Sequence, residues 1–211
     1  LLVLSKGHGV MALYACFREI GWLAQADLDN YQKDGTGLHG LAESKVPGLE
    51  ATTGSLGHGL AVAAGMAFAL KRQGRAAAKV VCVVGDGEMN EGPNWEALLF
   101  AAHHRLDNLT LVVDANEFQA MGTTAEILNL EPLPQKLASF GFQSVDCDGH
   151  DQEALHAALS APGHGAPKAI VARTIKGKGV AFMERDNRWH YTRMEAADYE
   201  LALRQSEAAH A

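Results

Sequence analysis

The chain has few basic residues and no positively charged run. Its 211 residues include 18 lysines and arginines against 25 aspartates and glutamates, which gives a formal net charge of −7. Proteins that bind nucleic acid usually carry a basic face, so this composition argues against a nucleic-acid partner. A small anionic ligand remains compatible with it, because a local site can bind an anion against the global charge.

Cysteine and long apolar runs are also scarce. Cys16, Cys82 and Cys147 lie far apart, and no CxxC spacing indicates zinc. Reduced thiols in a cytoplasmic protein are the simplest interpretation. No apolar run approaches the roughly 18 residues that a membrane-spanning helix needs, and no signal peptide is evident. The chain begins at Leu1 rather than at a methionine, so we expect an N-terminal segment to precede it.

Apolar runs of β-branched character alternate with stretches of helical spacing. The strands are predicted at 79–84, 109–113, 142–147 and 168–174, and the helices at 10–20, 26–33, 57–72, 94–104, 132–140, 151–160 and 195–209. This alternation predicts a single α/β domain over residues 1–211, with a parallel sheet flanked by helices on both faces. The run at 79–84 is almost continuously apolar, which is typical of a strand buried on both faces.

The segment Gly85-Asp86-Gly87-Glu88 directly follows the first of these buried strands. Glycines let the backbone turn sharply, and the turn together with the next helix offers N–H groups to an anion. Asp86 adds a hard oxygen ligand suited to Mg²⁺ or Ca²⁺. The alternative is that the segment is only a strand-to-helix turn.

A second polar cluster follows the next predicted strand. Asn116 lies 30 positions after Asp86 (116 − 86). One strand-helix-strand unit takes about that length and returns to the same edge of the sheet. An asparagine oxygen and a nearby backbone carbonyl would then complete a hard-metal site with Asp86.

One stretch resembles the thiamine diphosphate motif: GDGEMNEGPNWEALLFAAHHRLDNLTLVVDANEF. Its sequence is similar to that of transketolases, especially those split into two short subunits. The resemblance implies that Asp86, Asn116 and the carbonyl of Phe118 hold Mg²⁺ or Ca²⁺. It implies that the Gly85 turn, with the backbone of Gly87 and Glu88, receives the diphosphate. Glu91 and Glu96 match acidic residues at the dimer interface near the cofactor.

Four further segments resemble the same family in the same order. Residues 5–9 (SKGHG) place His8 near the diphosphate, and residues 52–59 (TTGSLGHG) place Gly54, Ser55 and Leu56 against the aminopyrimidine half of the cofactor. Residues 174–180 (TIKGKGV) and the pair Trp189-His190 complete the set, with His190 as a second histidine facing the cofactor.

Three positions depart from the family pattern. His58 replaces the usual glutamine, and Tyr191 replaces a glycine. In the active-site loop His39 is displaced by about one position from the histidine that contacts substrate hydroxyls. The last departure bears on the usual ketose-phosphate specificity.

The resemblance implies reversible transfer of a two-carbon ketol unit from a ketose to an aldehyde, with His8, His39 and His190 serving proton transfer and charge stabilisation. In this family a glutamate from a separate pyrimidine-binding domain activates the cofactor, and 211 residues leave no room for that domain. The expected assembly is therefore an α2β2 heterotetramer with a pyrimidine-binding partner subunit.

Two alternatives stay open. One is the α subunit of a thiamine-dependent 2-oxo acid dehydrogenase, which shares the metal motif and the need for a partner. The other is a non-catalytic subunit with the same fold. A dinucleotide or P-loop site is disfavoured by the absence of a GxGxxG or GxxxxGK sequence. The remaining histidines, including His103, His104 and His210, are expected mainly at the surface, and Cys82 in the core.

Overall fold

The computed structural model describes residues 1–75 and 77–209, so His210 lies outside the described residues. Seven strands are present in this part of the chain: β1 (Leu2–Leu4), β2 (Val80–Gly85), β3 (Leu109–Ala115), β4 (Phe118–Gln119), β5 (Gly122–Thr123), β6 (Gln143–Asp148) and β7 (Lys168–Arg173). Five of them form one sheet in the order β1-β2-β3-β7-β6, and all its neighbouring strands run parallel. The strands β4 and β5 form a small antiparallel hairpin.

The helices connect these strands. They are α1 (Val10–Glu19), α2 (Gln25–Asp29), α3 (Gly59–Arg72), α4 (Gly92–His103), α5 (Thr124–Ile127), α6 (Leu133–Ser139), α7 (Gln152–Ser160) and α8 (Ala196–Ala209). Short 3₁₀ helices occupy 7–9, 87–90 and 187–190. Within the described residues no helix is both long enough and apolar enough to cross a membrane.

Helices cover both faces of the sheet, as the alternating pattern predicts. On one face Val3, Cys82, Leu111 and Ala169 lie in register and form the main core with α3, α4 and α6. On the opposite face Leu4 and Val83 pack against α1 and the loop that follows α2. The helix α7 lies against the same face farther along the sheet. There Lys168 of β7 donates to carbonyls at the end of α7.

The burial of β2 differs from the prediction. Val80, Cys82 and Val84 are fully buried, whereas Val81 and Val83 are only partly buried. The prediction of a strand buried on both faces was therefore wrong for one face, since the smaller cluster covers that face incompletely. The prediction that Cys82 is a core residue is confirmed, and burial raises the pKa of its thiol.

Other sequence predictions agree with the structure within a few residues. Asp151 caps α7 by accepting from the amides of Glu153 and Ala154. The strand β1 and the hairpin β4–β5 were not predicted, because two or three residues are too few to show a periodicity. Their strand conformation depends on pairing with β2 and with each other.

Candidate functional site

The site lies at the carboxyl ends of β2, β3 and β7. Gly85 at the end of β2 pairs with Asp114 of β3, and Asp114 pairs with Ala172 of β7. The amide of Asp86 donates to the carbonyl of Asp114 at 3.1 Å, which joins the two strand ends. Ligands of parallel sheets bind at this edge, so the fold places the polar turns where a ligand site is expected.

Asp86 lies at the centre of this edge and is only 5% exposed. Its carboxylate accepts from the amide of Gly87 at 2.7 Å and from the amide of Glu117 at 2.6 Å. Burial raises the pKa of Asp86 to about 6, against the lowering effect of those two hydrogen bonds and of Lys6. The Glu117 bond brings the loop of Asn116 directly onto Asp86, as the spacing predicts.

The loop between β3 and β4 turns sharply at Glu117, which has a φ of +70°. A residue other than glycine is uncommon in this left-handed region. The Oδ1 atom of Asn116 accepts from the amide of Phe118 at 2.9 Å. The turn after β2 therefore carries a carboxylate, and the adjoining turn after β3 carries an amide oxygen and a backbone carbonyl. Hard cations prefer such oxygen ligands. In the described part of the chain, at this edge of the sheet or away from it, no group of three His, Cys, Asp or Glu side chains is arranged to hold a metal.

Two predicted histidines lie side by side near this turn. The rings of His8 and His190 are 5.8 Å apart, and the Nδ1 atom of His190 is 3.3 Å from the Nζ atom of Lys176. Burial lowers the pKa of both rings, and positive charge adds to the effect: mainly Lys6 for His8, and mainly Lys176 for His190. His8 nevertheless keeps part of its surface open to solvent.

Lys6 and Lys176 belong to the SKGHG and TIKGKGV segments, which predicted no function for these lysines. The structure brings both side chains to the site. Lys6 forms an ion pair with Asp114, whose other oxygen accepts from the hydroxyl of Thr174. Burial lowers the pKa of Lys176, and Lys6 contributes to the same shift. The lysine charges therefore disfavour protonation of His8 and His190 here, and a bound anion would offset that effect. The signal in the sequence was the lysine content of SKGHG and TIKGKGV.

A cavity of about 360 Å³ borders Asp86 and Phe118 on the other side of the turn. Its walls carry Arg173 and Arg185, but these charges are already matched. Arg173 forms ion pairs with Glu131 and Asp146, and Arg185 pairs with Glu117 at 3.2 Å. Lys6 is likewise paired with Asp114, so Lys176 is the lysine at the site for which the described residues provide no ion pair.

The loop over residues 52–59 approaches the same turn. Its amide at Gly57 donates at 2.9 Å to the side chain of Glu88, and Gly57 packs so closely on Glu91 that an added Cβ would lie 2.6 Å from the Cβ of Glu91. Ser55 and Leu56 remain exposed at the tip of the loop, as do Glu91 and Glu96 on and beside α4. These groups are accessible to another molecule.

His39 lies on a separate loop from the His8–His190 pair. Its backbone carbonyl accepts from the hydroxyl of Tyr14 at 3.1 Å, and its Nε2 atom is 3.8 Å from the Oε1 atom of Glu43. The side chain of Leu41 from this loop lies against Gly54. The loop therefore borders the site through Leu41, while the contacts described for His39 are with Tyr14 and Glu43.

A family model described as the transketolase, thiamine diphosphate binding domain matches residues 1–207. The chain belongs to the transketolase family. This confirms the resemblance drawn from the five motifs, and it confirms the expected fold. The segments assembled at the sheet edge, from the turn after β1 to the 3₁₀ helix at 187–190, all lie within the matched region.

A transketolase subunit and a longer transketolase are both similar to the chain. It is 40% identical over 205 residues to an apulose-4-phosphate transketolase subunit of Actinobacillus succinogenes, covering 96% of this chain and 74% of that protein. It is 38% identical over 188 residues to human transketolase, covering 89% of this chain and 30% of that protein.

Among solved structures, transketolase from Campylobacter jejuni matches with a TM-score of 0.90 and 31% identity, covering 98% of this chain and 34% of that one. The chain thus spans about three quarters of the Actinobacillus succinogenes protein and about a third of the longer transketolases.

Proposed function

We infer that residues 1–211 form a single thiamine diphosphate- and metal-binding domain that acts as one subunit of a transketolase. The reaction would transfer a two-carbon ketol unit from a ketose or ketose phosphate to an aldehyde. One observation carries this proposal. The turns that carry Asp86 and Asn116 lie at the same sheet edge as Lys176, His8 and His190, and burial together with neighbouring positive charge lowers the pKa of that lysine and of both histidines.

The donor set fits a metal diphosphate. Asp86, the Asn116 side chain and the Phe118 carbonyl would hold Mg²⁺ or Ca²⁺. The backbone of Gly85, Gly87 and Glu88 would receive the diphosphate at the start of a 3₁₀ helix. His8, His190 and Lys176 would contact the diphosphate from the opposite side, because they are the nitrogen donors gathered there.

When bound, thiamine diphosphate supplies a thiazolium ring that serves as the electron sink. The residues of this chain would do the positioning and the proton transfer. Burial lowers the pKa of His8 and His190, which favours the neutral rings that can accept a proton or a hydrogen bond. We propose His39 as a third group, at the substrate side.

A pyrimidine-binding partner subunit would supply the glutamate that activates the cofactor, in a cytoplasmic α2β2 assembly. The exposed tip of the 52–59 loop, Glu91 and Glu96 support this proposal, because they lie beside the site and remain accessible. The relative from Actinobacillus succinogenes is itself named as one subunit of a transketolase, which is also consistent with a divided enzyme.

The test is a ketol-transfer assay with thiamine diphosphate, Mg²⁺ and a panel of ketoses and aldehydes, run with and without the product of the adjacent gene. We expect activity only with the partner, and we expect Asp86→Ala to lower it by at least a hundredfold because the metal loses its carboxylate ligand. Asp29→Ala removes an exposed carboxylate from α2 and is the matched control, expected to retain activity.

Three results would contradict the proposal. Full activity of this chain alone would exclude the divided active site. Absence of both activity and cofactor binding in the presence of the partner would support the non-catalytic alternative, and acyl transfer to a lipoyl group would support the dehydrogenase alternative.

A further inference from the structure

The carboxylate of Glu88 is buried beside the predicted metal site, with 2% of the residue exposed. Within residues 1–75 and 77–209, it forms no ion pair with a lysine, arginine or histidine. Burial of an unpaired carboxylate is unfavourable unless hydrogen bonds replace the lost water. Nor is it an expected contact of an anionic cofactor, because its charge has the wrong sign. Its side chain therefore requires another explanation.

Three donors satisfy this carboxylate. The hydroxyl of Ser5 and the amide of Gly57 both donate to Oε1, the latter at 2.9 Å. The amide of Gly85 donates to Oε2 at 3.3 Å. The donors come from three segments that are far apart in sequence: the turn after β1, the loop at 52–59, and the end of β2. Each of these segments carries residues of the proposed cofactor site.

The segments that donate to Glu88 also pack closely on one another, and the hydroxyl of Thr53 donates to the carbonyl of Leu4. A Cβ atom added to Gly59 would lie 2.4 Å from the Oγ atom of Ser5, and one added to Gly7 would lie 2.5 Å from the carbonyl oxygen of Thr53. The turn after β1 and the 52–59 loop are therefore packed at backbone distance. Such packing leaves no space for side chains. Hydrogen bonds are directional, so the bonds to the Glu88 carboxylate also fix the orientation of the 52–59 loop.

We propose that Glu88 is a positioning residue, whose carboxylate fixes the 52–59 loop relative to the metal-binding turn and so aligns Gly54–Leu56 with a cofactor held at Asp86. This inference rests on the proposed function. It assigns to the side chain of Glu88 a role separate from the backbone contact expected of the same residue. Glu88 acts through Gly57 and Ser5, and its side chain does not itself contact the cofactor.

The role predicts an effect that depends on the ligand. Magnesium pyrophosphate occupies only the metal turn and the lysine–histidine cluster, whereas thiamine diphosphate also meets the 52–59 loop. We expect Glu88→Ala to weaken thiamine diphosphate binding by about tenfold or more, where tenfold corresponds to about 1.4 kcal/mol. Binding of magnesium pyrophosphate should change by less than about threefold.

The variant Glu88→Gln tests the geometry, since its single carbonyl oxygen can still accept from Ser5 and Gly57 while its NH₂ group faces the amide of Gly85. We expect it to recover most of the thiamine diphosphate affinity. Amide hydrogen exchange of the cofactor-free chain gives a second readout: exchange at Gly57 should accelerate in Glu88→Ala and stay slow in Glu88→Gln. Lys168→Met is a control that destabilises the opposite end of the sheet, and its ratio of the two affinities should match the unaltered protein.

Calorimetry on the full chain, with both ligands and all four proteins, separates the possibilities. Equal weakening of both ligands in Glu88→Ala, or unchanged affinity for both, would overturn the positioning role. Failure of the unaltered protein to bind magnesium pyrophosphate would instead contradict the proposed function. If Glu88→Ala does not fold, Glu88→Gln decides the question. A loss of thiamine diphosphate affinity in Glu88→Gln while exchange at Gly57 stays slow would overturn the positioning role.

Discussion

His190 and Lys176 illustrate how single residues set the chemistry of this site. Burial is the first cause of the lowered pKa of His190, and the charge of Lys176, whose Nζ is 3.3 Å from Nδ1, is the second. Because His8 and His190 bind a proton less tightly in the folded chain than in the unfolded chain, both reduce the free energy of unfolding as the pH falls below 6.5. Asp86 acts in the opposite direction, since its raised pKa favours proton binding in the folded chain.

At this scale we predict that Lys176→Met raises the pKa of His190, because one positive neighbour is lost. The pKa should nonetheless stay below 6.5, since burial is the larger cause. NMR titration of the histidine ring protons in the cofactor-free chain measures this directly. His150, which accepts from the amide of Ile175 outside the lysine–histidine cluster, provides the internal reference. An unchanged His190 pKa would show that the lysine charge is screened.

Among the elements, α7 shows how the sheet anchors its helices. Asp151 satisfies amides at the start of α7. At its other end the Nζ atom of Lys168 donates to the carbonyls of Ala158, Leu159 and Ala161 at 2.6, 2.8 and 2.8 Å. A cation at this end also interacts favourably with the helix dipole. The first residue of β7 thus fixes α7 to the sheet, at the end opposite to the functional site.

We predict that Lys168→Met lowers the free energy of unfolding by about 2–3 kcal/mol, because three carbonyls lose a charged donor in a buried setting. Urea denaturation followed by circular dichroism gives the value. Lys33→Met removes an exposed lysine from the chain after α2 and should change the stability by no more than about 0.5 kcal/mol. Equal effects of the two substitutions would show that water can satisfy the three carbonyls with little loss in the free energy of unfolding.

For the whole molecule, the site joins elements from across the sheet. Lys6 follows β1, Asp86 follows β2, Asn116 follows β3, and Lys176 follows β7. A ligand bound by all four would stabilise the folded chain as a unit, because it binds the folded state and not the unfolded one.

We therefore predict that thiamine diphosphate with Mg²⁺ raises the melting temperature. At a hundredfold excess over Kd the gain is about 2.7 kcal/mol, which for a chain of this size corresponds to roughly 5–10 °C. Differential scanning calorimetry measures the shift. Thiamine without the diphosphate, and thiamine diphosphate with EDTA, should produce little of it. A full shift in either control would show that the metal diphosphate does not provide the binding energy.

Local patterns were enough to predict most of the elements and the core of the site. The alternation of apolar runs and helical stretches predicted the parallel sheet, and the spacing of Asp86 and Asn116 predicted that two turns meet at one edge. The helix that follows Asp151 was predicted as well. Each of these depends on residues that are close in sequence or on one repeated unit, so periodicity and spacing carry the information.

Tertiary structure alone decided which distant groups meet. Lys6 pairs with Asp114 across 108 positions, and Ser5 donates to Glu88 across 83. The incomplete covering of Val81 and Val83, and the strand β1, likewise depend on what packs beside them. The sequence by itself therefore determined the fold class and the meeting of the turns after β2 and β3. The packed chain decided the charge balance and the hydrogen bonds that join the loops at the sheet edge, because hydrogen bonds and burial act between residues that no local pattern connects.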